Sequence, residues 1–280
     1  MTGKKFIDFH THTIYSDGIE SPRTLVRNAK LSGIDVLAIT DHDHTQGYYD
    51  ARQEAERWNL VLIPGAEITT QDYHILGLGF NPDSKNLQDF LKYSRGLQRE
   101  NCRRRVELLT QQGIPLTIEK VEAYFPYSRL GKCNITYSLL RDRECSEKMA
   151  SLLGENPTHK LVFNYLFKNS ACKIESEDAT AKEAIDAIHE AGGRAIIAHP
   201  FKDVEDMAEL ESLRSLGLDG LEIQPNFGDE NIPYLEYARK NNMPITYGSD
   251  YHGICFPHRP LLQRGENQAE DFLLQTELAV

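Results

Sequence analysis

Short apolar segments alternate with amphipathic helical segments in both halves of the chain, and this alternation limits the possible folds more than any other feature. The apolar segments are, in order, KKFIDFH, IDVLAITD, LVLIPGAE, YHILGLGF, RAIIAHP, DGLEIQP and MPITYGSD. Strands that are joined by helices pair in parallel and are covered on both faces, so they appear as apolar runs. The pattern predicts an α/β protein built as a seven-stranded (β/α)7 barrel, with an open doubly wound sheet as the alternative.

The helices between these strands are predicted from caps and breakers. A helix after Ser21, with Pro22 in its first turn, should end at Gly33. Further helices are predicted over residues 46–58, 181–191, about 204–216, about 230–241 and about 266–278.

Residues 84 to about 178 interrupt the alternation. They are polar, rich in arginine and lysine, mostly helical in pattern, and contain no clear buried strand. We therefore predict a barrel formed by residues 1–83 and 179–280, with 84–178 as a mostly helical insertion after the fourth strand. An insertion at the rim of a barrel is expected to cover the active site, because α/β barrels keep their chemistry at the ends of their strands.

The first strand ends in two histidines, His10 and His12. Side chains alternate along a strand, so residues two apart point the same way. Asp17 can fold back over the two rings through a turn at Gly18. Two imidazoles and one carboxylate directed at one point form the ligand set of a divalent metal ion.

The other predicted strands also end in potential metal ligands. Because active sites of α/β barrels lie at the carboxyl ends of the strands, these side chains should meet. They are His42, Glu67, His74 (across the turn that begins the fourth strand), His199, Asp250 and His252. Asp41 and Asp43 flank His42, so alternation turns them to the other face, where we expect them to orient ligands or cap elements. The sequence predicts a metal centre at this end of the barrel.

Charge and cysteine content restrict the partners and the compartment. The formal net charge is −11, from 31 basic and 42 acidic side chains. This balance argues against binding of long duplex nucleic acid, but it does not argue against small phosphorylated substrates. No apolar run reaches the length of a membrane span, and the first residues lack a signal-peptide core. The cysteines form no Cys-x-x-Cys pair and are expected to be reduced, so a cytoplasmic enzyme without membrane contact is expected.

Six stretches of the sequence resemble a known family. They are DFHTHTIYSDG, AITDHD, PGAEITT, HILG, EAIDAIHEAGGRAIIAHP and GSDYHG, and they occur in the family's order. The chain resembles the PHP (polymerase and histidinol phosphatase) phosphoesterases, and within them the stand-alone nucleotide-phosphatase and exoribonuclease-like branch. The resemblance implies a distorted barrel with three metal ions.

The resemblance also implies how the ligands divide among the ions. His10, His12, Glu67 and Asp250 would hold one ion, and Asp17, His42 and His252 a second. Glu67 would bridge to a third, shared with His74 and His199. A mixed imidazole and carboxylate set suits manganese, iron or zinc better than calcium. A hydroxide that bridges two ions would attack the phosphorus atom and release phosphate from nucleotides or short oligonucleotides.

The candidate substrate contacts lie where the chain departs from the family or follows the last ligands. The branch usually has Gly-Arg-Pro-His in its insertion, whereas this chain has Lys132 and Asn134 at the positions of the arginine and the histidine. Lysine keeps the charge but loses the bidentate fork that suits phosphate. His258 and Arg259 follow the last ligands and are further candidates for substrate contact. His44, where the family often has threonine, and His258 are candidates for the general acid.

Three other functions fit parts of the pattern. A histidinol-phosphate phosphatase is the nearest enzymatic alternative, although the insertion favours the nucleotide branch. An amidohydrolase shares the His-x-His motif, but that class commonly bridges its metals with a carbamylated lysine, and no lysine ends a central strand here. A non-catalytic module that binds a metal or another ligand is the third alternative, and the complete ligand set argues against it.

Overall fold

The structure of the protein is a computed structural model that describes residues 5–169, 172–253 and 259–263. Seven strands of these ranges form one sheet in sequence order. The strands are β1 (Ile7–Asp8), β2 (Val36–Ile39), β3 (Val61–Thr69), β4 (His74–Leu78), β5 (Arg194–Ile197), β6 (Gly220–Ile223) and β7 (Ile245–Tyr247).

Eleven α-helices occur within the described ranges. They are α1 (Pro22–Leu31), α2 (Gln46–Arg57), α3 (Lys85–Gln111), α4 (Ile118–Tyr124), α5 (Lys132–Arg141), α6 (Arg143–Leu153), α7 (His159–Phe163), α8 (Ala181–Glu190), α9 (Pro200–Asp203), α10 (Met207–Ser215) and α11 (Ile232–Asn241). A π-helical segment (Asn164–Lys168) follows α7, and a 3-10 segment (Pro225–Asn231) precedes α11. None of the helices in the described part of the chain is both long and apolar enough to cross a membrane.

The sheet nearly closes into a barrel. The backbone N–H of Phe9 donates to the carbonyl of Tyr247 at 2.9 Å, and that of His12 donates to the carbonyl of Tyr251 at 2.8 Å. These bonds join the segment after β1 to β7 and the residues that follow it. The predicted seven-stranded barrel is confirmed, and the alternative of an open doubly wound sheet is wrong.

The expectation of an entirely parallel sheet is wrong at one strand. β4 is antiparallel to both neighbours, with Thr69 opposite His74 and Ile75 opposite Ile197. Only residues 70–73 connect β3 to β4, and a parallel crossover needs a dozen residues or more. Because β4 runs the other way, its first residue, His74, lies at the end of the barrel where the parallel strands finish.

Most helix predictions agree with the structure, with differences at the ends. The hydroxyl of Ser21 accepts a hydrogen bond from the N–H of Thr24 at 3.2 Å and caps α1, as predicted. The segment predicted as one helix near 204–216 begins instead at Asp206, whose side chain accepts hydrogen bonds from two backbone N–H groups of α10. The helix predicted near 266–278 lies outside the described residues.

The chain divides into two compact units, with Arg95–Asp178 forming one and the remaining described residues the other. The first boundary falls inside α3, because Leu87 and Leu91 pack into a core cluster of the barrel unit. The Arg95–Asp178 unit has its own core, formed entirely from helical and connecting segments. The predicted segment after the fourth strand is therefore mostly helical.

The apolar interior of the barrel unit lies directly below two of the predicted metal ligands. A cluster with residues from β1 to β5 and no helical residue forms this interior; it contains Ile7, Phe9, Val36, Ala38, Ile63, Leu76, Leu78, Ile196 and Ala198. Along β3, Glu67 lies four residues after Ile63, and along β4, His74 lies two residues before Leu76. Residues separated by an even number along a strand share a face. Glu67 and His74 therefore lie on the inward face, directly above the apolar interior.

A buried carboxylate links α1 to α2 and should make stability depend on pH. Glu54 Oε1 accepts hydrogen bonds from Arg27 Nε at 2.5 Å and from Trp58 Nε1 at 2.9 Å. The bonds from Arg27 and Trp58 lower the pKa of Glu54 from its ordinary 4.5 to about 2. The unfolded chain therefore binds more protons in this range, so Glu54 contributes stability above pH 4.5 that is lost as the pH falls towards 2.

We expect Glu54→Gln to reduce the slope of unfolding free energy against pH between pH 4.5 and 2, by up to one bound proton. Urea unfolding followed by circular dichroism at several pH values would measure this slope. Glu56→Gln, at an exposed glutamate of the same helix, is the matched control. Equal slopes for Glu54→Gln and the wild type would contradict the role of the Arg27 contact.

Candidate metal centre

Two imidazoles after β1 direct the same ring nitrogen, Nε2, at each other. Nε2 of His10 and Nε2 of His12 lie 3.0 Å apart, and both side chains are buried. Nδ1 of His10 lies 2.9 Å from Oε1 of Glu222. A carboxylate can only accept a hydrogen bond, so Nδ1 carries a proton, and Nε2 is the lone-pair atom whenever the ring is neutral. A ring oriented in this way is prepared to bind a metal ion.

His12 is oriented by a relay of two side chains. Its Nδ1 lies 3.2 Å from Ser16 Oγ, which donates to Oδ1 of Asp41 at 2.7 Å. Because the hydroxyl proton is directed at Asp41, the hydroxyl oxygen accepts from Nδ1 of His12, and Nε2 is again the lone-pair atom. Asp41 also accepts from the backbone N–H of Thr13 at 2.7 Å. Side-chain alternation along the strand predicted that Asp41 points away from His42. Asp41 orients His12, through Ser16.

Glu67 reaches two groups of histidines with its two oxygens. Oε2 lies 3.2 Å from Nε2 of both His10 and His12 and 3.1 Å from Nδ1 of His42. Oε1 lies 3.0 Å from Nε2 of His199 and 3.2 Å from Nδ1 of His74. Oε2 is buried and has no partner in hydrogen-bond geometry among the described residues. The carboxylate is thus arranged as a bridge between two ligand groups.

Asp17 is brought to the site by the turn that the sequence predicts. A Cβ atom at Gly18 would lie 2.5 Å from the carbonyl carbon and oxygen of His12, so only glycine allows this close return. Oδ1 of Asp17 lies 3.2 Å from Nε2 of His252, and Oδ2 lies 3.8 Å from Nε2 of His42. The turn therefore places one carboxylate between two further imidazoles.

The last strand segment supplies Asp250 and His252. Oδ1 of Asp250 lies 3.5 Å from Nε2 of His10 and 3.4 Å from Nε2 of His12. His199 and Asp250 have φ of 29° and 55°, which is sparsely populated for residues with a side chain. Strain of this kind persists only where the surroundings fix the conformation, and it concentrates at functional sites.

The structure brings all nine sequence-predicted ligands together. Groups whose ligand atoms lie within 4.8 Å of one another are His10–His12–Glu67, His12–Asp250–His252, His12–Asp17–His42 and Glu67–His74–His199. The divisions match the family-based assignment for Glu67, His74 and His199. They differ in that His12 reaches three groups, and His252 is grouped with Asp250. Imidazole nitrogens and carboxylate oxygens, with the ring lone pairs directed inward, fit divalent transition metals.

The electrostatics of the site favour cations. Burial alone would lower the pKa of His12, but hydrogen bonds and charge from Asp250 and Glu67 raise it to about 9. Burial alone would raise the pKa of Glu67, but the neighbouring imidazoles of His42, His10 and His74 bring it well below its ordinary value. The carboxylates therefore stay ionised, and without metal they favour protons on His10 and His12. A metal ion that binds here would displace those protons.

The candidates for acid catalysis and substrate contact lie in different places. Nδ1 of His44 accepts a hydrogen bond from the backbone N–H of Gln46 at 3.0 Å, at the start of α2. Nη1 of Arg259 lies 2.7 Å from Oδ2 of Asp250, beside the proposed ligands. Lys132 is the first residue of α5, in the Arg95–Asp178 unit. His258 lies outside the described residues.

Asn134 has a structural role in the helix that Lys132 begins. Its Oδ1 accepts a hydrogen bond from the backbone N–H of Gly131 at 2.7 Å, which closes the start of α5. The side chain that replaces the family histidine is buried, and its Oδ1 is committed to this cap, whereas its Nδ2 has no hydrogen-bond partner among the described residues. Of the two departures from the family motif, Lys132 is the one with an exposed side chain.

Glu222 is the main site residue that the sequence reasoning missed. It is completely buried, and besides His10 it binds the backbone N–H of His199 at 2.7 Å and Nε2 of Gln224 at 3.0 Å, both through Oε2. It thus supports two ligands from β6. The carboxylate of Glu222 within the apolar run GLEI was the available signal, because a buried strand carries a charge only where a partner neutralises it.

The amino-acid sequence is similar to those of one protein family and of several known enzymes. The model of the PHP domain matches residues 8–195. The 5'-3' exoribonuclease Rnm of Salmonella typhimurium is 31% identical over 264 residues, which cover 89% of this chain and 85% of that protein. The phosphoribosyl 1,2-cyclic phosphate 1,2-diphosphodiesterase of Eggerthella lenta is 28% identical over 259 residues, which cover 88% of this chain and 94% of that protein.

A solved structure is similar over nearly the whole length. A protein from Bifidobacterium adolescentis, assigned as a metal-dependent phosphoesterase, matches with a TM-score of 0.80 and 26% sequence identity. The match covers 99% of this chain and 97% of that one.

Proposed function

Because the chain belongs to the PHP domain family, we propose that its centre holds three divalent ions and hydrolyses phosphoesters of nucleotides or short oligonucleotides. The family and its relatives identify the chain as a metal-dependent phosphoesterase, a hydrolase of phosphoric ester bonds. The observation that carries the finer proposal is the position of Glu67, whose two oxygens face two separate groups of imidazoles.

We keep the assignment of ligands that the family resemblance implies. The first ion would be held by His10, His12, Glu67 and Asp250, the second by Asp17, His42 and His252, and the third by Glu67, His74 and His199. The observed group of Glu67, His74 and His199 matches the third of these sets. Manganese, iron and zinc suit this mixture of nitrogen and oxygen donors. The bridging carboxylate would hold the first and third ions close to each other.

The residues of the chain prepare the site, and the ions supply the activation. Bound divalent ions lower the pKa of a coordinated water and stabilise charge on the phosphoryl group. Glu222 and Ser16 keep the lone pairs of His10 and His12 directed inward. In the net reaction, water adds to phosphorus, the P–O ester bond breaks, and the leaving oxygen takes a proton.

The cationic side chains of the chain are an argument for a phosphorylated substrate. Arg259 lies at the edge of the ligand cluster, and with His258 it follows the last proposed ligands in sequence. In the Arg95–Asp178 unit, desolvation and the charges of Arg105 and Arg129 lower the pKa of Lys132, and the charge of Asp178 raises it. A lysine among other cations suits an anionic substrate. Lys132, Arg259 and His258 are accordingly the proposed substrate contacts.

The names of the relatives define the substrates to compare. The name of the exoribonuclease suggests oligoribonucleotides as substrates. The name of the cyclic-phosphate diesterase suggests a cyclic ribose phosphate as a second candidate. Histidinol phosphate represents the remaining enzymatic alternative. We therefore expect turnover of ribose phosphoesters and little turnover of histidinol phosphate.

The test is hydrolysis by protein stripped with a chelator and then loaded with manganese, iron or zinc. The substrates would be a nucleoside monophosphate, a nucleoside bisphosphate, a 5'-phosphorylated RNA oligonucleotide, a cyclic ribose phosphate and histidinol phosphate, with products separated by chromatography. We expect hydrolysis only after metal loading and about three ions per chain by elemental analysis. Absence of hydrolysis with every metal would contradict the proposed catalysis, and a maximum of one ion with full activity would contradict the trinuclear assignment.

A further inference from the structure

Lys202 places a positive charge beside a proposed metal ligand. It lies in α9, three residues after His199 at the end of β5. Its Nζ donates to Oδ2 of Asp250 at 2.8 Å. The other oxygen of Asp250, Oδ1, faces Nε2 of His10 and His12. The ammonium group is therefore separated from the ligand cluster by a single carboxylate.

Two aromatic rings hold the ammonium group at this position. Nζ lies 5.5 Å from the ring centroid of Phe201 and 5.5 Å from that of Phe227. The two ring centroids lie 4.6 Å apart, so the rings pack against each other. A cation over the face of an aromatic ring is attracted by the ring's electron density. The lysine is thus fixed near the site, while 26% of its side chain stays accessible to solvent.

The lysine has hydrogen-bonding capacity that Asp250 does not use. An ammonium group has three donors, and among the described residues only Asp250 Oδ2 receives one from Lys202. Arg259 Nη1 contacts the same oxygen at 2.7 Å, so Asp250 already has a second cationic partner. Neutralising Asp250 would not need both cations. Two donors of Nζ therefore remain for an anion, at a distance of one carboxylate from the ligand cluster.

We propose that Lys202 binds the phosphoryl group under attack, donating from Nζ to one of its non-bridging oxygens while it keeps its contact with Asp250. The proposal rests on the function proposed above and names a residue that contacts the substrate at that site. The aromatic pair of Phe201 and Phe227 positions the lysine for this contact. A charge at this place stabilises the added negative charge of the phosphoryl group without taking part in bond formation.

The experiment compares Lys202→Met and Lys202→Arg with the wild type, all fully loaded with manganese. Methionine keeps a long, flexible side chain against the two rings but removes the charge and the donors. Inorganic phosphate is the probe, with its affinity measured by calorimetry and its inhibition constant by kinetics, and bound metal is measured by elemental analysis. Lys182→Met, at an exposed lysine of α8 that pairs with Asp186, is the matched control.

We expect Lys202→Met to weaken phosphate binding about 10- to 100-fold, which is typical of a lost charge-assisted hydrogen bond. KM should rise with it, and bound metal should stay at the wild-type level. Lys202→Arg should retain phosphate binding within a few-fold, and Lys182→Met should match the wild type.

Two outcomes would overturn the proposal. Unchanged phosphate affinity in Lys202→Met would show that the lysine does not contact the anion. Loss of metal in parallel with phosphate affinity would show that Lys202 acts by holding Asp250 as a ligand. A wild-type protein that binds phosphate but hydrolyses no phosphoester would contradict the proposed function instead, because phosphate binding is measured without turnover.

Discussion

Replacing Glu67 by alanine should lower kcat/KM for phosphoester hydrolysis by about three orders of magnitude or more, because metal ions contribute several kcal/mol of transition-state stabilisation. The carboxylate contacts imidazoles on both of its sides, with His10, His12 and His42 near Oε2 and His74 and His199 near Oε1. Without the carboxylate of Glu67, the group with His10 and His12 and the group with His74 and His199 lose the ligand that they share. We therefore expect bound metal to fall from the proposed three ions to one or none.

Elemental analysis after metal loading and steady-state kinetics would measure both effects. Glu54→Ala is the matched control, since Glu54 is also a buried glutamate of the barrel unit but is bonded to Arg27 and Trp58. It should keep the metal and the activity even if it melts at a lower temperature. Glu67→Ala with wild-type metal content and activity within tenfold of the wild type would show that Glu67 does not bridge ions.

The position of the site was predictable from the sequence because its ligands follow local rules. His10 and His12 are two residues apart after a predicted strand, and Glu67 ends the apolar segment LVLIPGAE, although β3 itself continues to Thr69. Barrel topology then brings strand ends together without any knowledge of side-chain contacts. The same local pattern did not show that β4 is antiparallel, because that depends on the four-residue connection between β3 and β4 rather than on the strand itself.

The residues that the sequence did not reveal act across long separations. Glu222 binds His10 although 212 positions separate them, and Lys202 binds Asp250 across 48 positions. No local periodicity connects such pairs, since only the closed sheet brings them into contact. His44, a candidate for the general acid, accepts a hydrogen bond through Nδ1 at the start of α2, and its catalytic role stays a prediction.

Disrupting the pair of Glu222 and His10 should have the second largest effect. In Glu222→Gln, one oxygen of the carboxylate becomes an NH2 group. If that group faces the backbone N–H of His199 and Nε2 of Gln224, donors oppose donors in a buried site. If it faces His10 instead, Nδ1 must accept, and the proton moves to Nε2, where it blocks the metal. Either orientation should weaken metal affinity about 10- to 100-fold, as is typical for loss of such a supporting group.

The same pair can be disrupted from the opposite side by a single methyl group. A Cβ atom at Gly248 would lie 2.0 Å from Oε1 of Glu222 and 2.4 Å from Cβ of His10, so Gly248→Ala must displace both side chains. We expect it to lower metal affinity and kcat at least as much as Glu222→Gln, since it moves the ligand as well as its support. Gly96→Ala is the matched control, because a Cβ atom there meets no atom within 4 Å.

Titration of each loaded variant with a competing chelator, followed by kinetics at saturating metal, would separate affinity from catalysis. Because the carboxylate acts on His10 and not on the substrate, excess metal should restore much of the activity of Glu222→Gln. Gly248→Ala should recover less, since the imidazole itself is displaced. Wild-type metal affinity in both variants would show that the hydrogen bond between Glu222 and His10 does not determine the orientation of the ring.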